Sequence, residues 1–248
     1  MAFVDELEKQ GQWLFRWRSY LPIIIVPIFL WSLQSPEQLE HIAGDTIEDI
    51  YEIICIIISF IGLGIRCITV AFVPKGTSGR NTKTQKATRL NTTGIYSITR
   101  NPLYLGNFFI ILGIVMFTQS LWAILIVTLL FWIYYERIIF AEEQFLKKKF
   151  GVAFLQWAKD TPIFFPKLKN YQSPDLPFSI KNILKREYTG FFVIITAFTI
   201  IDLLEDYFDK GYFQIEMEWK IIFIFGLLSY LLLRYLKKNT NLLKEEGR

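Results

Sequence analysis

One segment of this sequence combines residue types that could hold an anion at the edge of an apolar helix. It runs from Gly94 to Gly106 (GIYSITRNPLYLG), and Arg100 comes shortly before Pro102, a residue suited to the first turn of a helix. The planar guanidinium of Arg100 could pair with a carboxylate or a phosphate. In the alternative interpretation, Arg100 anchors the helix on the cytoplasmic side, and Tyr96 and Tyr104 are interfacial aromatics. The segment alone does not separate the two.

A pair of carboxylates, Glu142 and Glu143, follows directly after an apolar run that ends at Phe140. Acids at the end of a membrane helix are costly unless they are paired, hydrated or facing a polar cavity. Lys147 lies four residues after Glu143, which suits an ion pair on a solvated helix face. On spacing alone, the solvated face is the favoured interpretation of these acids.

A third candidate is the basic loop 76–83 (GTSGRNTK). Its glycines, hydroxyls and the cations Arg80 and Lys83 could hold the phosphate or carboxylate of an acceptor. The loop is not a Walker motif, which argues against a nucleoside triphosphate site. Attraction to anionic lipid headgroups is the alternative.

Histidine and cysteine usage argues against other kinds of site. His41 is the only histidine and lies in an acidic loop, so the sequence predicts neither a catalytic His–Asp pair nor a metal site. Cys55 and Cys67 are twelve positions apart in one apolar segment, too far to form a disulfide within a helix. No feature points to a nucleic-acid partner.

The elements that must position these residues are apolar segments long enough for a membrane. Hydrophobic residues make up 52% of the 248, and the mean hydropathy is +0.33. Six segments stand out, at residues 20–33, 50–72, 103–117, 121–140, 191–204 and 219–236. The second and fourth are long enough to span, and the first and third are short. We therefore predict an all-α, polytopic membrane protein with about six transmembrane helices.

The connections between these segments alternate in charge. The N-terminal segment, the loop 73–100, the stretch after residue 140 and the C-terminal tail are basic, whereas the loops 34–49 and 205–218 are acidic. By the positive-inside rule, six crossings then place both termini and both basic loops on the cytoplasmic side. If the source is a bacterium, the membrane would be the inner one.

The chain divides, by prediction, into an N-terminal helix with an outer loop (1–49), a core (50–170), and a linker with a C-terminal helix pair (171–248). Apolar residues near helical spacing in 141–159 predict an amphipathic helix that continues the fourth span. Prolines at 162, 166, 174 and 177 end it and mark the linker.

In their order, these motifs resemble those of the isoprenylcysteine carboxyl methyltransferase family and its phospholipid methyltransferase relatives. That family has G-x-Y-x-x-x-R-H-P-x-Y-x-G before a helical hairpin, and then E-E-x-x-L-x-x-x-F-G-x-x-[YF]-x-x-[YW]. The first motif matches here from Gly94 to Gly106. The second matches at Glu142, Glu143, Leu146, Phe150, Gly151, Phe154 and Trp157. The resemblance covers roughly residues 62–166.

The resemblance implies a methyltransferase core that uses S-adenosylmethionine and acts on a lipidic acceptor entering from the bilayer. On this hypothesis Arg100 and Glu142 are catalytic, Arg100 also contacts the acceptor, and Arg80 and Lys83 of the basic loop are predicted to bind the acceptor as well. The cofactor-binding residues would be Tyr96, Asn101, Pro102, Tyr104, Gly106, Glu142 and Glu143. Asn101 replaces the family's His and cannot take a proton near neutral pH, so a base at that position is in doubt.

Three acceptors remain open: a prenylated cysteine carboxylate, a phosphatidylethanolamine amine, and a lipid phosphate such as the 1-phosphate of lipid A. An ionised oxygen needs no base, and the six cations of 75–100, without a single acid, favour the phosphate. Two alternatives belong to other classes. One is a nicotinamide-dependent reductase of the steroid-reductase type, and the other is a non-enzymatic lipid transporter or assembly subunit. The oligomeric state is not predicted.

Overall fold

The computed structural model describes residues 2–18, 20–34, 44–77 and 85–247. Within them the chain is almost entirely helical, and the β-structure of this part is limited to an isolated bridge between Gly94 and Gln172. The α-helices, in chain order, are α1 (Phe3–Trp17), α2 (Val26–Ser32), α3 (Asp45–Ala71), α4 (Pro102–Phe117), α5 (Leu121–Phe150), α6 (Val152–Asp160), α7 (Ile180–Lys210) and α8 (Met217–Asn239).

Three of these helices are long and apolar enough to cross a membrane: Thr46–Ala71 in α3, Leu121–Phe150 (α5) and Met217–Asn239 (α8). Even the shortest, at 23 residues, is about 35 Å long, against about 30 Å of hydrocarbon. Many of their large apolar side chains are exposed, as expected of lipid-facing surfaces. The all-α membrane class is thereby confirmed, while six crossings and their direction stay predictions.

The other predicted segments have different lengths from those expected. The third is the shorter apolar helix α4, and the fifth lies inside α7, a helix of 31 residues with no charged residue between Glu187 and Asp202. The first is divided into a 3-10 helix (Leu21–Ile25) and the seven-residue α2, each with a proline in its first turn. Proline cannot continue a helix from the preceding turn, and this explains the division.

The prediction of one continuous helix from the fourth span to residue 159 is wrong at a single position. Helix α5 continues without a break to Phe150, well past the apolar run. Gly151 then has φ = 53°, a left-handed conformation that glycine adopts at little cost, and α6 begins at Val152. Helix α1, which hydropathy did not predict, is the second difference.

Helices α3 and α4 pack closely against each other around small residues. A Cβ atom on Gly106 would lie 2.5 Å from Cγ of Arg66 and 2.7 Å from the carbonyl oxygen of Gly62. Nearby, the Ser59 hydroxyl donates to the carbonyl of Ile110 at 2.9 Å. Small residues that let backbones approach, together with hydrogen bonds between helices, are the usual means of helix association in membranes.

The C-terminal helix pair packs against both α3 and α4. The amide of Asn182 donates to the carbonyl of Val70 at 2.6 Å, so the beginning of α7 is fixed to the end of α3. Toward the other end, the rings of Phe117, Phe198 and Trp219 lie 5.0–6.4 Å apart and form a buried core. The last two helices are therefore an integral part of the packed structure.

Candidate functional site

The segment 94–101 is held against the proline-bounded stretch that follows α6. Its conformation is fixed by hydrogen bonds between residues more than sixty positions apart in the sequence. These are Thr99 Oγ1 to the Phe164 carbonyl (2.9 Å), Arg100 N to the Pro162 carbonyl (2.9 Å), Asn101 Nδ2 to the Ile163 carbonyl (3.0 Å) and Lys167 N to the Ile98 carbonyl (2.9 Å). The two sequence motifs are thus brought into one structural unit.

Arg100 of the first motif contacts both of the helices that carry the second motif. Its Nη1 donates to the carbonyl of Ala158 in α6 at 2.9 Å, and its Nε lies 3.0 Å from Oε1 of Glu143 in α5. The side chains of Arg100 and Glu143 are only 11% and 24% exposed. The interpretation of the acidic pair as a solvated face paired with Lys147 is therefore wrong for Glu143, whose ion-pair partner is Arg100.

The Arg100–Glu143 pair is close but not aligned as a hydrogen bond. Among the described residues, buried Nε of Arg100 and buried Oε1 of Glu143 have no hydrogen-bond partner. Buried charged groups are expensive unless their hydrogen-bonding capacity is used. The hydrogen-bonding capacity of these two atoms is therefore unused among the described residues.

Glu142, the adjacent carboxylate, has a different set of partners. Tyr104 in α4 is a close neighbour of Glu142, and Nη1 of Arg18 lies 3.8 Å from Oε1 of Glu142. The guanidinium of Arg18 is also held over the ring of Phe15, 4.2 Å from its centroid. Each carboxylate of the pair therefore has a different arginine as its partner, Arg18 for Glu142 and Arg100 for Glu143.

Arg18 is a site residue that motif comparison missed, because it lies far outside both motifs. Helix α1 brings it to the site by packing on α5, where Gly11 touches the backbone of Arg137 so closely that a Cβ atom would clash. An ion pair between Lys148 and Glu8 (2.6 Å) adds to the contact. The signal in the sequence that could have found it is the amphipathic pattern of α1, with its apolar residues on one face.

Aromatic rings form the wall beside Glu142. The ring centroid of Tyr104 lies 4.7 Å from that of Tyr135, which in turn lies 4.2 Å from that of Phe131. The hydroxyl of Tyr135 accepts a hydrogen bond from Nδ2 of Asn107 at 3.0 Å. Such rings exclude water and leave only their hydroxyls for polar contacts.

The remaining predicted residues lie around this cluster in different ways. Pro102 is fully buried at the first turn of α4, as predicted, and Gly106 faces α3. The Tyr96 carbonyl accepts from Nε1 of Trp157 at 3.1 Å, and Tyr96 borders a small cleft that also includes Arg89. Arg100, Glu142 and Glu143 do not line that cleft. Arg80, Lys83 and His41 are outside the described residues.

Groups suited to a metal ion are not found in the described part of the chain, where no three His, Cys, Asp or Glu residues are close enough together to bind one. Cys55 and Cys67 are both free thiols, as the sequence predicted.

A comparison with protein families identifies the core. Residues 53–153 match the model of the family described as phospholipid methyltransferase. This range contains the first motif and the acidic pair of the second. The predicted family resemblance is thereby confirmed.

Two curated proteins are similar to part of the chain. It is 39% identical over 89 residues to the nickel-cobalt-cadmium resistance protein NccN of Alcaligenes xylosoxydans xylosoxydans, covering 36% of this chain and 41% of that protein. It is 39% identical over 95 residues to the cobalt-zinc-cadmium resistance protein CzcN of Cupriavidus metallidurans, covering 38% and 41%. The chain therefore matches about two fifths of the length of these relatives. No solved structure matches the chain significantly.

Proposed function

We propose that this chain, a member of the phospholipid methyltransferase family by its residues 53–153, transfers a methyl group from S-adenosylmethionine to a lipid in the membrane. The observation that carries the proposal is the convergence of Glu142 and Glu143 with two arginines and a tyrosine. These groups come from three separate parts of the chain. Packing alone does not explain why these charged side chains come together on α5, because buried charges are costly.

The chemistry of these side chains fits the proposed cofactor. S-adenosylmethionine carries an ammonium group, a carboxylate and ribose hydroxyls, and, when bound, it supplies a methyl group activated by a sulfonium. Carboxylates suit the ammonium or the ribose, and a guanidinium suits the carboxylate. We propose that Glu142 and Glu143 bind the former groups. Arg100 binds the cofactor carboxylate or an anionic acceptor.

The residues of the site do their work by orientation and by exclusion of water. Methyl transfer is an in-line displacement, so holding donor and acceptor in line supplies much of the rate. The packed Tyr104, Tyr135 and Phe131 rings form a wall that keeps water from the reacting atoms. Asn101, whose amide is bound to the carbonyl of Ile163, cannot act as a base.

An acceptor that is already ionised suits this set of residues best. We propose an anionic oxygen of a membrane lipid, specifically a lipid phosphate such as the 1-phosphate of lipid A. The basic segment 75–100, which holds six cations and no acid, supports this choice. The second candidate is the amine of a phospholipid headgroup, which the description of the matching family favours. Such an amine must lose a proton before it reacts.

The relatives point to a setting for such a reaction. Both are named for resistance to metals that include cobalt and cadmium. Methylation of a phosphate removes negative charge from a lipid headgroup, and this charge attracts cations to the membrane surface. We propose that methylation of lipid phosphates by this protein lowers the affinity of the membrane surface for divalent metal ions.

The test is transfer of labelled methyl from S-adenosylmethionine into the lipids of membranes that contain the protein. Glu142→Gln should reduce incorporation and weaken binding of S-adenosylhomocysteine roughly 10- to 100-fold, because a charged hydrogen-bonding partner is lost. Glu136→Gln is the matched control on the same helix, since Glu136 is 66% exposed, and it should behave as wild type.

The labelled product distinguishes the acceptors. A methyl group on a lipid phosphate would support the main proposal, and a methyl group on a lipid amine the second. Label in protein, released by mild base, would support the prenylated cysteine instead. If wild-type protein binds no cofactor and labels nothing, the methyltransferase proposal fails, and the reductase or transporter alternatives should be tested.

A further inference from the structure

A chain of polar contacts crosses the interior of the helix bundle from α7 to the site. Glu187 in α7 is 4% exposed and pairs through both oxygens with Arg66 in α3, at 2.8 Å to Nε and 3.0 Å to Nη2. Nη1 of Arg66 donates to Oδ1 of Asn107 in α4 at 2.6 Å. Nδ2 of Asn107 donates to the hydroxyl of Tyr135 in α5 at 3.0 Å. These contacts, from Glu187 through Arg66 and Asn107 to Tyr135, form the buried relay and link four helices.

The buried relay has a fixed direction. An arginine side chain only donates hydrogen bonds and stays charged, so it must meet the oxygen of the Asn107 amide. The NH₂ group of Asn107 then faces Tyr135 and must donate. The Tyr135 hydroxyl is therefore an acceptor in this contact, and its own proton is left to point elsewhere.

The side chain of Tyr135 lies beside the site. The Tyr135 ring lies 4.7 Å from the Tyr104 ring, centroid to centroid, and Tyr104 is a close neighbour of Glu142. Among the hydrogen bonds of the described residues, Tyr135 donates none. A buried hydroxyl without an acceptor is unfavourable, and a bound ligand would supply that acceptor.

We propose that Tyr135 donates a hydrogen bond to the bound cofactor, and that Glu187, Arg66 and Asn107 are positioning residues that leave its proton available. The inference rests on the proposed function, because the ligand is S-adenosylmethionine. It also gives α7, which lies beyond the matched residues 53–153, a part in cofactor binding. The acceptor on the cofactor would be an oxygen of its carboxylate or ribose.

The sharpest test reverses the direction of one hydrogen bond while charge and shape are kept. In the double variant Asn107→Asp with Glu187→Gln, the total charge is unchanged and Arg66 still has a carboxylate partner. The carboxylate that replaces the Asn107 amide can only accept, so Tyr135 must now donate to it and cannot donate to the cofactor. We expect S-adenosylhomocysteine to bind roughly 10-fold more weakly, as in Tyr135→Phe, with thermal stability close to that of wild type.

Additional variants separate this role from plain packing. Tyr135→Phe added to the double variant should cause no further loss of affinity, because the same hydrogen bond is already absent. Glu187→Gln alone leaves the Arg66 guanidinium without a carboxylate and should lower thermal stability, whereas adding Asn107→Asp should restore it. Wild-type affinity in the double variant, or a further loss on addition of Tyr135→Phe, would overturn the inference. Failure of the wild-type protein to bind S-adenosylhomocysteine would instead refute the proposed function.

Discussion

The tight contact between α3 and α4 makes Gly106→Ala a severe change for so small a side chain. The new Cβ would lie 2.5 Å from Cγ of Arg66 and 2.7 Å from the carbonyl oxygen of Gly62. Neither atom can move easily. The carbonyl belongs to a helix backbone, and the Arg66 side chain is held at its far end by Glu187 and Asn107. The two helices must therefore separate by about 1 Å to restore ordinary contact.

The cost follows from two opposing effects. Overpacking of a well-packed interior costs about 1–3 kcal/mol, whereas replacing a helical glycine by alanine returns up to about 1 kcal/mol. We expect a net destabilisation of about 1–2 kcal/mol, which corresponds to roughly 2–8 °C in the unfolding midpoint of a chain of this size. Movement of Arg66 should also disturb the buried relay and weaken binding of S-adenosylhomocysteine.

The assay compares Gly106→Ala with Gly64→Ala in detergent-solubilised protein by thermal unfolding at one scan rate. Gly64 lies on α3 close to the same interface, but a Cβ there meets nothing within 4 Å. Gly64→Ala should therefore be neutral or slightly stabilising. Equal midpoints for the two variants would refute the reasoning from close approach, and a loss of affinity without a loss of stability would mean that Gly106 lines the ligand site instead.

Three further predictions concern single contacts. Arg100→Lys should weaken S-adenosylhomocysteine binding roughly 10-fold in a titration, because lysine cannot reproduce the planar contacts of the guanidinium. Trp157→Phe should lower the unfolding free energy by about 1–2 kcal/mol in a denaturant titration, because it removes the hydrogen bond to the carbonyl of Tyr96. Arg18→Gln should lower it by at most about 1 kcal/mol, since the 3.8 Å pair with Glu142 is partly exposed, yet should reduce methyl transfer by leaving that carboxylate without its cation.

Each of these variants has a matched control in the chain. Arg89→Lys alters an exposed arginine whose partner is Asp175, Trp132→Phe alters a tryptophan that is 45% exposed, and Arg16→Gln alters an exposed arginine of α1. The controls should stay close to wild type. A control that changes as much as its partner would show that the assay reports general damage to the protein and not the contact in question.

Much of the architecture could be predicted because hydropathy and motif order act locally. The apolar runs gave the positions of α3, α5 and α8, and Pro102 gave the beginning of α4. The pairing of Arg100 with Glu143 could not be read from spacing. It depends on the proline-bounded stretch that brings α6 back to the first motif, a contact between distant parts of the sequence.

The missed site residues share a physical cause. Arg18 follows an amphipathic helix that has no long apolar run, so hydropathy does not detect it. Glu187 lies on α7, beyond the motif resemblance. In the sequence alone, a charge near the end of a long helix is interpreted as a residue that fixes the orientation of the helix in the membrane. Its pairing with Arg66 is visible only in the structure. Both residues act through tertiary contacts, about which a single sequence holds little information.

The buried relay can be completed only late in the synthesis of the protein. Arg66 enters the membrane with α3, but Glu187 is made more than a hundred residues later, an interval of roughly 6–24 s at ordinary translation speeds. Until α7 arrives, the matched segment 53–153 is complete in sequence but contains a buried cation without its carboxylate. A chain truncated before α7 would therefore keep an uncompensated charge in the helix bundle and should be less stable in the membrane than the full-length protein.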